Sequence, residues 1–396
     1  MGTAVTVPVL GDAEAIAEAA RIAEDLARGD AERDRRRILP RDEVASLARA
    51  GLLAITVPPE SGGPGAGART VGEVLVELSA GDASVGQIPQ NHFFFVDVLR
   101  HAGTADQRGF FHGEILAGRW FGNAISERGG RTALDFGIGF RRTPGGRVID
   151  GAKHYATGSL FAQWIPIYAN DERGLLHAAF VPADAPGVTR VDDWDGMGQR
   201  TTGSGTVRFD AVEVPEDHVV PVHRIFEGPE TFGAFGNYMH AAIDAGIAVA
   251  ALRDGGRLVR ELARPWWEAE VESAADEPAV VQEFGELALR VRAARALVRE
   301  AGEAIDAARQ SLDERSAAEA SAAVAAARAA ADTAAVSVAG DVFALVGTRA
   351  AADALNLHRH WRNARTHTLH DPRRWKVRHL GAWELSGTPP PANGIV

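Results

Sequence analysis

The spacing of hydrophobic and polar positions changes twice along the chain. From residue 11 to about 115, apolar residues recur at helical intervals, as in "AEAIAEAARIAEDLA", which predicts amphipathic helices. From 119 to about 222 the runs are short and broken by Gly, Pro and Asp, as in "GTVRFDAVEVP", which predicts strands. From about 230 onward, long helical patterns return, which predicts a bundle.

The pattern therefore predicts an α+β protein in three parts. A helical domain is followed by a compact β-domain and then by a bundle of long antiparallel helices, because the helical patterns exceed the usual globular length. The alanine-rich pattern within the bundle predicts close packing or contact with another subunit. We place the helical domain at 1–116, the β-domain at 117–224, the four-helix bundle at 225–385 and a tail at 386–396.

Composition narrows the class of protein. The chain has 396 residues, 46% of them hydrophobic, and a net charge of −11 without a basic stripe, which argues against nucleic acid as a partner. It has no cysteine, so disulfides and thiolate chemistry are excluded. We see no secretory signal and no uncharged apolar stretch of about 18 residues, so we expect a cytoplasmic protein without a membrane span.

The segment "RTHTLHDPRRW" carries the clearest candidate chemistry. His367 and His370 stand three residues apart and are followed by Asp371 and Pro372, which together predict a helix start with Asp371 as its cap. The positive end of the helix dipole disfavours a charged imidazole at His370, so this ring could accept or relay a proton near neutral pH. A metal pair is the alternative, but no third ligand has a recognised spacing, and we predict no metal.

Several phrases in a fixed order resemble the acyl-CoA dehydrogenase superfamily. They are "GLLAITVPPESGGPGAG", "VIDGAKHYATGS" and "GMGQRTTGSGTVRFDAVEVPEDHVV", and the resemblance extends from about residue 11 to 385. It implies the fold of that superfamily: an N-terminal helical domain, a central β-barrel-like domain and a C-terminal four-helix bundle. It also implies a homotetramer.

Two departures point to one branch of this superfamily. Where a dehydrogenase carries its catalytic glutamate, the chain reads "HWRNARTHTLHDP", and "DVFALVGTRAA" lacks the glycine pair of the usual FAD-binding phrase. The strings "GQIPQNHF", "FGNAISE", "DDWDGMGQRTTGSGTV" and "HWRNARTHTLHDPRRWK" are instead similar to the flavin-dependent monooxygenases. That branch includes the dibenzothiophene monooxygenases and the sulfur-acquisition oxidoreductases of the SfnB type.

The resemblance implies a two-component monooxygenase. A separate NAD(P)H-dependent flavin reductase would supply reduced FMN, with FAD as the alternative flavin, and O2 would be the co-substrate. A C4a-(hydro)peroxyflavin would oxygenate a small organosulfur substrate. The alternatives are an FAD-dependent acyl-CoA dehydrogenase that uses another acid such as Asp244, an amine N-hydroxylase on the same fold, and a flavin-free binding protein.

The resemblance also implies roles for individual residues. It places His370 beside the reactive edge of the flavin, with His367 supporting Arg365 or that edge, and the Gly-rich "ERGGRTALDF" as a lid or an ordinary hairpin turn. The predicted catalytic residues are His370, Thr157, Asn123 and His92. The predicted flavin contacts are Asn123, Ala124, Ser126, Tyr155, Thr157, Trp194, Ser204 and His370, with Arg264, Thr348 and Arg349 on the phosphate, in part across a subunit boundary. The predicted substrate contacts are Gln90, His92, Phe93 and Phe232, although aromatic residues after Gln90 are more often core.

Overall fold

The N-terminal part of the chain is helical. The computed structural model describes residues 6–132, 135–143 and 146–392. Apolar residues at helical spacing bury one face of each helix here, as the pattern predicts. The helices are α1 (Asp12–Ala27), α2 (Asp30–Arg36), α3 (Arg41–Arg49), α4 (Ala68–Gly81), α5 (Ala83–Ala102) and α6 (Ala105–Leu116).

Two antiparallel sheets form the β-domain. Their order is β1-β2-β6-β5 and β3-β4-β7, and their inner faces share one small apolar core. The segment "FGNAIS" joins them, because Ala124 bridges to Ile167 of one sheet and Ser126 bridges to His154 beside the other. The strands are β1 (Phe140–Thr143), β2 (Gly146–Lys153), β3 (Trp164–Asn170), β4 (Leu176–Pro182), β5 (Val188–Val191), β6 (Thr206–Val214) and β7 (Val219–Val220).

Long helices make up the rest of the chain. α7, α8 and α9 pack against one another, and α10 and α11 pack along α9. This order of helices, strands and helices confirms the predicted α+β class. The helices are α7 (Phe232–Glu261), α8 (Pro278–Gln310), α9 (Glu314–Val346), α10 (Arg359–His367) and α11 (Arg373–Ser386).

Helix α9 is unusually apolar. It has 33 residues, and by length and composition it could cross a membrane. However, 56% of its most apolar window is buried inside the protein, as expected of the core helix of a bundle. Small alanine side chains let the neighbouring helices approach it closely. Its largest fully buried side chain is Arg328.

Close approaches fix how α5 and α7 lie together. An added Cβ on Gly236 of α7 would lie 3.3 Å from the ring of Phe94 of α5. An added Cβ on either Gly246 of α7 or Gly86 of α5 would clash with Ser79 of α4. The segment of α7 between Gly236 and Gly246 therefore runs beside the segment of α5 between Gly86 and Phe94, in the opposite direction.

Candidate active site

The first part of the site is the loop after α6. The backbone N–H of Asn123 donates to Oγ of Ser159 at 3.0 Å, and that hydroxyl donates to the carbonyl oxygen of Asn123 at 2.7 Å. These two bonds fix Asn123 on the β-domain. Its side-chain Oδ1 is buried and has no hydrogen-bond partner among the described residues. A buried amide oxygen of this kind is an acceptor ready for a bound group.

A chain of hydroxyl groups lies beside this loop. Thr157 Oγ1 is 2.7 Å from Ser204 Oγ, which is 2.6 Å from Thr202 Oγ1, and Thr202 donates to the carbonyl oxygen of Gln199 at 3.0 Å. Because a hydroxyl has one proton to donate, Ser204 donates to Thr202, and Thr157 in turn donates to Ser204. The lone pairs of Thr157 therefore remain free to accept a hydrogen bond.

Helix α10 connects the hydroxyl chain to the histidines. The backbone N–H of Gln199 donates to Oδ1 of Asn363 at 2.7 Å, and His367 lies one turn further along the same face of α10. Nδ1 of His367 is 2.6 Å from Asp244, and its Nε2 is 3.0 Å from Nδ1 of His240. The predicted support of Arg365 by His367 is wrong, since both ring nitrogens are occupied by α7.

His370 lies in the turn between α10 and α11. Its ring faces that of His240, with centroids 4.0 Å apart and planes inclined by 32°. Its side chain is 52% exposed, and Nδ1 lies 3.5 Å from Asp371. Nε2 is thus the nitrogen available to a bound group.

Buried charges lie behind the histidines. Arg328 of α9 donates to Asp244 and, at 2.9 Å, to Asp371, and Lys376 of α11 lies 2.8 Å from the other oxygen of Asp371. All four side chains are nearly inaccessible. Since Arg328 and His367 occupy both oxygens of Asp244, this carboxylate is not free to act as the base of a dehydrogenase.

Asp371 does not cap α11, contrary to the prediction. The helix begins at Arg373 without a side-chain cap. Burial alone would raise the pKa of Asp371, but its contact with His370 and the charges of Arg328 and Lys376 outweigh burial and hold that pKa well below its usual value. Asp371 thus pairs with the buried cations Arg328 and Lys376 rather than with the unpaired backbone N–H groups at the start of α11.

Unpaired amides line α5 and α7 next to His240. Oε1 of Gln87 and Oδ1 of Asn237 are buried without a hydrogen-bond partner in the described part of the chain. Gln90 and Asn91 are also buried and share the face of Gln87, at helical spacing. Because this part of α5 runs beside Asn237 and His240, the predicted substrate residue Gln90 belongs to a polar strip that borders the histidines.

His92 is a structural residue, so its predicted catalytic and substrate roles are wrong. The ring is fully buried; Nε2 donates to the carbonyl oxygen of Leu53 at 2.6 Å, and Nδ1 accepts from the backbone N–H of Phe121 at 3.1 Å. Neither nitrogen is left for a substrate. Burial lowers the pKa of His92 to about 4, and the bond to Leu53 offsets this only in part.

This lowered pKa predicts a pH-dependent stability. The unfolded chain binds a proton at His92 below about pH 6.5 and the folded chain only near pH 4, so the free energy of unfolding falls as the pH drops through that window. We expect His92 to contribute about 2 kcal/mol to the loss between pH 6.5 and about pH 5. Urea unfolding of the wild type and of His92→Gln, whose amide can keep both bonds, would measure it. Equal pH slopes for the two proteins would contradict the prediction.

The two predicted aromatic substrate residues have different surroundings. Phe232, the first residue of α7, packs in the core with its ring 4.5 Å from that of Phe94 and 6.1 Å from that of Phe226. Phe93 is buried too, but it forms one wall of a cavity of about 470 Å³ together with Phe235.

Tyr155 and Trp194 border the hydroxyl chain. The ring of Tyr155 is 52% exposed and meets Trp194 edge to face, with centroids 6.1 Å apart. Nε1 of Trp194 donates to the carbonyl oxygen of Gln199 at 2.8 Å. The backbone of Tyr155 has a φ of 55°, in the left-handed region, and this turns the chain directly before Thr157.

The predicted lid begins at Glu127. This carboxylate pairs with the buried Lys153 at 2.6 Å and accepts the backbone N–H groups of Gly137 and Ile138, so both ends of the segment are tied to the β-domain. A cavity of about 710 Å³ lies beneath it. Positions 133 and 134 of the segment fall outside the described residues.

The predicted phosphate-binding residues lie elsewhere. Arg264, Thr348 and Arg349 are exposed at the C-terminal ends of α7 and α9, where Arg349 donates to the carbonyl oxygen of Leu262 at 2.7 Å. His240 is near the other end of α7, roughly 30 Å away at 1.5 Å per residue. Within one chain, Arg264, Thr348 and Arg349 therefore lie far from His240 and its neighbours His367 and His370.

Sequence comparisons place the chain among known proteins. The families "Acyl-CoA dehydrogenase, N-terminal domain" and "Acyl-CoA dehydrogenase, C-terminal domain" match residues 12–119 and 238–373. A dibenzothiophene monooxygenase of Rhodococcus erythropolis is 31% identical over 392 residues, covering 92% of this chain and 93% of that protein. The "Probable FMNH2-dependent monooxygenase SfnC" of Pseudomonas putida is 28% identical, covering 95% and 96%.

Solved structures agree with these matches. FMN-bound TdsC from a Paenibacillus species superimposes with a TM-score of 0.90 at 29% identity, covering 96% of this chain and all of that one. Methanesulfinate monooxygenase MsuC from Pseudomonas fluorescens gives 0.89 at 27% identity, covering 96% and 99%. The chain belongs to the acyl-CoA dehydrogenase superfamily, in the family of flavin-dependent monooxygenases that includes the dibenzothiophene monooxygenases.

Proposed function

We propose that this protein is a two-component monooxygenase that uses reduced FMN and O2 to oxygenate a small organosulfur compound. The observation that carries the proposal is the group at the α10–α11 turn. A half-exposed imidazole, His370, lies there, while the neighbouring carboxylates Asp244 and Asp371 are sequestered in ion pairs with Arg328. A site of this kind can accept a proton from a reacting oxygen species, whereas Asp244 and Asp371, both held in ion pairs, are not free to abstract a proton from carbon.

The polar atoms of the site fit a reduced flavin. Reduced isoalloxazine carries N–H groups at ring nitrogens that are bare in the oxidised ring, so it needs acceptors. Asn123 Oδ1 and Gln87 Oε1 are buried acceptors without partners in the described chain, and the hydroxyl chain leaves Thr157 as an acceptor. When bound, reduced FMN would supply the electrons that activate O2, so that one oxygen atom goes to the substrate.

Each residue then has a defined task. Asn123 and Thr157, both fixed to the β-domain, would hold and orient the flavin ring, with Ala124, Ser126, Tyr155, Trp194 and Ser204 around it. His370 would hold a proton at Nε2 as negative charge develops nearby. The buried amide strip of α5, including Gln90, would contact the substrate.

A small substrate suits this site better than a large aromatic one. The family resemblance implies an aromatic residue near the position of Gln90 for bulky aromatic sulfur substrates, whereas this chain has Gln90 and Asn91 there. The dibenzothiophene monooxygenases and the methanesulfinate monooxygenase among its relatives differ widely in substrate size. We therefore place the substrate near the smaller end of this range.

Product analysis with labelled oxygen tests the proposal. The protein, FMN, NAD(P)H and a flavin reductase would be incubated under isotopically labelled O2 with small sulfides, sulfinates, dibenzothiophene and amines. We expect one labelled oxygen atom in a small sulfur compound. Labelled products from amines alone would favour N-hydroxylation. Anaerobic bleaching of bound flavin by an acyl-CoA without reductase would favour a dehydrogenase, and failure to bind FMN would favour a binding protein.

We propose further that the protein is a cytoplasmic homotetramer whose subunits share flavin sites. Arg264, Thr348 and Arg349 lie too far from His370 to bind the same FMN within one chain. They can serve this flavin only if a second subunit brings them to its phosphate. Arginine suits that role because its planar fork binds phosphate oxygens in pairs.

Hybrid proteins test the shared site. Arg349→Ala should weaken binding of reduced FMN by about 10- to 100-fold, because a charge-assisted hydrogen bond to phosphate contributes roughly 1.5–3 kcal/mol. Arg257→Ala, at the same end of α7 and paired only with exposed Glu261, is the control. Co-expression of Arg349→Ala with His370→Ala subunits should recover activity that neither variant has alone. Activity no greater than the sum of the two would show that each site comes from one chain.

A further inference from the structure

A buried hydrogen-bonded chain runs from Asp244 to His240. Asp244 accepts from Nδ1 of His367, and Nε2 of His367 meets Nδ1 of His240. His240 ends the chain and stacks on His370. His240 belongs to none of the sequence motifs of the site and makes none of the proposed flavin or substrate contacts.

The chemistry of the chain fixes the proton on each ring. Asp244 is ionised, since it pairs with Arg328, so it accepts the Nδ1–H of His367. A neutral His367 then has a bare Nε2, which must accept the Nδ1–H of His240. His240 is left with a bare Nε2, for which no hydrogen-bond partner is found among the described residues.

The surroundings of His240 keep it neutral. Burial lowers the pKa of His240 well below its usual value, and the neighbouring His370, His367 and Arg328 lower it further, against a smaller opposite effect of Asp371. From α5, the adjacent segment contributes the uncharged amides of Gln87, Gln90 and Asn91, and its His92 is bonded to backbone groups. Asp371, the carboxylate that raises this pKa, is itself held in ion pairs with Arg328 and Lys376.

We propose that His240 is a positioning residue for the oxygenation reaction. Held in one tautomer and one orientation by Asp244 and His367, its ring is the platform on which His370 stacks. Because the buried His240 stays neutral, it does not take up the proton that His370 accepts during the reaction. The inference rests on the proposed function.

Histidine NMR on the flavin-free protein tests the chain without any turnover. Nitrogen-15 side-chain spectra should show His240 as the Nδ1–H tautomer, with a deshielded, exchange-protected proton on Nδ1 of His367. Replacing His367 with Phe should remove that proton and release His240 into a mixture of tautomers. An Nε2–H tautomer of His240 in the wild type would overturn the proposal.

Two substitutions at His240 separate stacking from general disruption. His240→Ala removes the platform, so the product formed per reduced FMN oxidised should fall about tenfold, with a matching rise in hydrogen peroxide, because a loosely held His370 is misplaced. His240→Phe keeps a ring, so the product formed per reduced FMN oxidised should be at least about threefold higher than in His240→Ala. The signals of the His370 ring in the flavin-free protein should approach those of free histidine in the Ala variant only.

The control is a second buried histidine on the same pair of helices. His360 of α10 bonds to Asp254 of α7 at 2.9 Å, in the same way that His367 bonds to Asp244, but it does not touch His370. His360→Gln should leave the coupling of oxidation to product unchanged. Full coupling in His240→Ala, or no recovery in His240→Phe, would overturn the positioning role. If the wild type oxygenates no compound, the proposed function fails, while the NMR result still decides the structure of the chain.

Discussion

Replacing His370 with alanine should lower the rate of coupled product formation by about 10²- to 10⁴-fold, the usual contribution of a proton-transferring side chain. His370 is the ring of the histidine cluster with an accessible nitrogen, and the neutral, buried His240 cannot replace it. Reduced FMN should still bind within a few-fold of the wild type, because the proposed ring contacts Asn123 and Thr157 lie on the β-domain and the proposed phosphate contacts lie at the far ends of α7 and α9. Oxidation of the flavin should continue but yield hydrogen peroxide.

Product, peroxide and FMN affinity would be measured on the same preparations. His358→Ala is the matched control, since His358 is an exposed histidine of the same segment that contacts Arg362 and Asp353 but not the cluster. Its turnover should match the wild type. Unchanged product yield in His370→Ala would remove this residue from the mechanism. A loss of FMN binding of the same size as the loss of product would make it a flavin-binding residue.

Replacing Arg328 with alanine should lower the free energy of unfolding by about 3–5 kcal/mol, the range for breaking a buried ion pair from one side. Arg328 compensates Asp244 and Asp371 together, and both carboxylates would remain buried. Lys376 would still pair with Asp371, but Asp244 would keep only its bond to His367. The loss should therefore fall mainly on the contact between α7 and α9.

Urea or thermal unfolding would measure this change. Arg315→Ala on the same helix is the control, because Arg315 is 84% exposed and pairs with Glu319 at the surface, where such pairs contribute about 0–1 kcal/mol. Similar losses in the two variants would show that the network around Arg328 is solvated rather than buried. Arg328→Met, which keeps the volume but not the charge, should resemble alanine if the uncompensated carboxylates dominate.

The order of the elements could be predicted from periodicity, because each part of the chain buries one face at its own spacing. The importance of "THTLHDP" could be predicted from the sequence for a local reason, because two histidines precede a helix start. The role of His240 could not be predicted. Together with Asp244, this residue is one of two polar residues in the apolar run "MHAAIDAGIAVAAL". Its partners His367 and His370 lie more than a hundred positions further along the chain. Its spacing from Asp244, one helical turn, was the only signal.

The wrong predictions have a common physical cause. Asp371 carries the local signature of a cap, but Arg328 and Lys376 reach it from α9 and α11. His92 stands in a polar phrase typical of a site, but the backbones of Leu53 and Phe121 use both its nitrogens. In each case a partner distant in sequence decided the role of the side chain, and local spacing contains no information about such partners.

The charges of α9 have a further consequence for how the chain is made. Before α7 and α8 cover it, this segment has the length and hydropathy of a helix that could cross a bilayer. A charged side chain near the centre of such a span opposes insertion by about 2.5–3.5 kcal/mol. We therefore expect Asp332 and Asp341, which lie within the apolar part that follows Arg328, to discourage the growing polypeptide from entering the lipid phase.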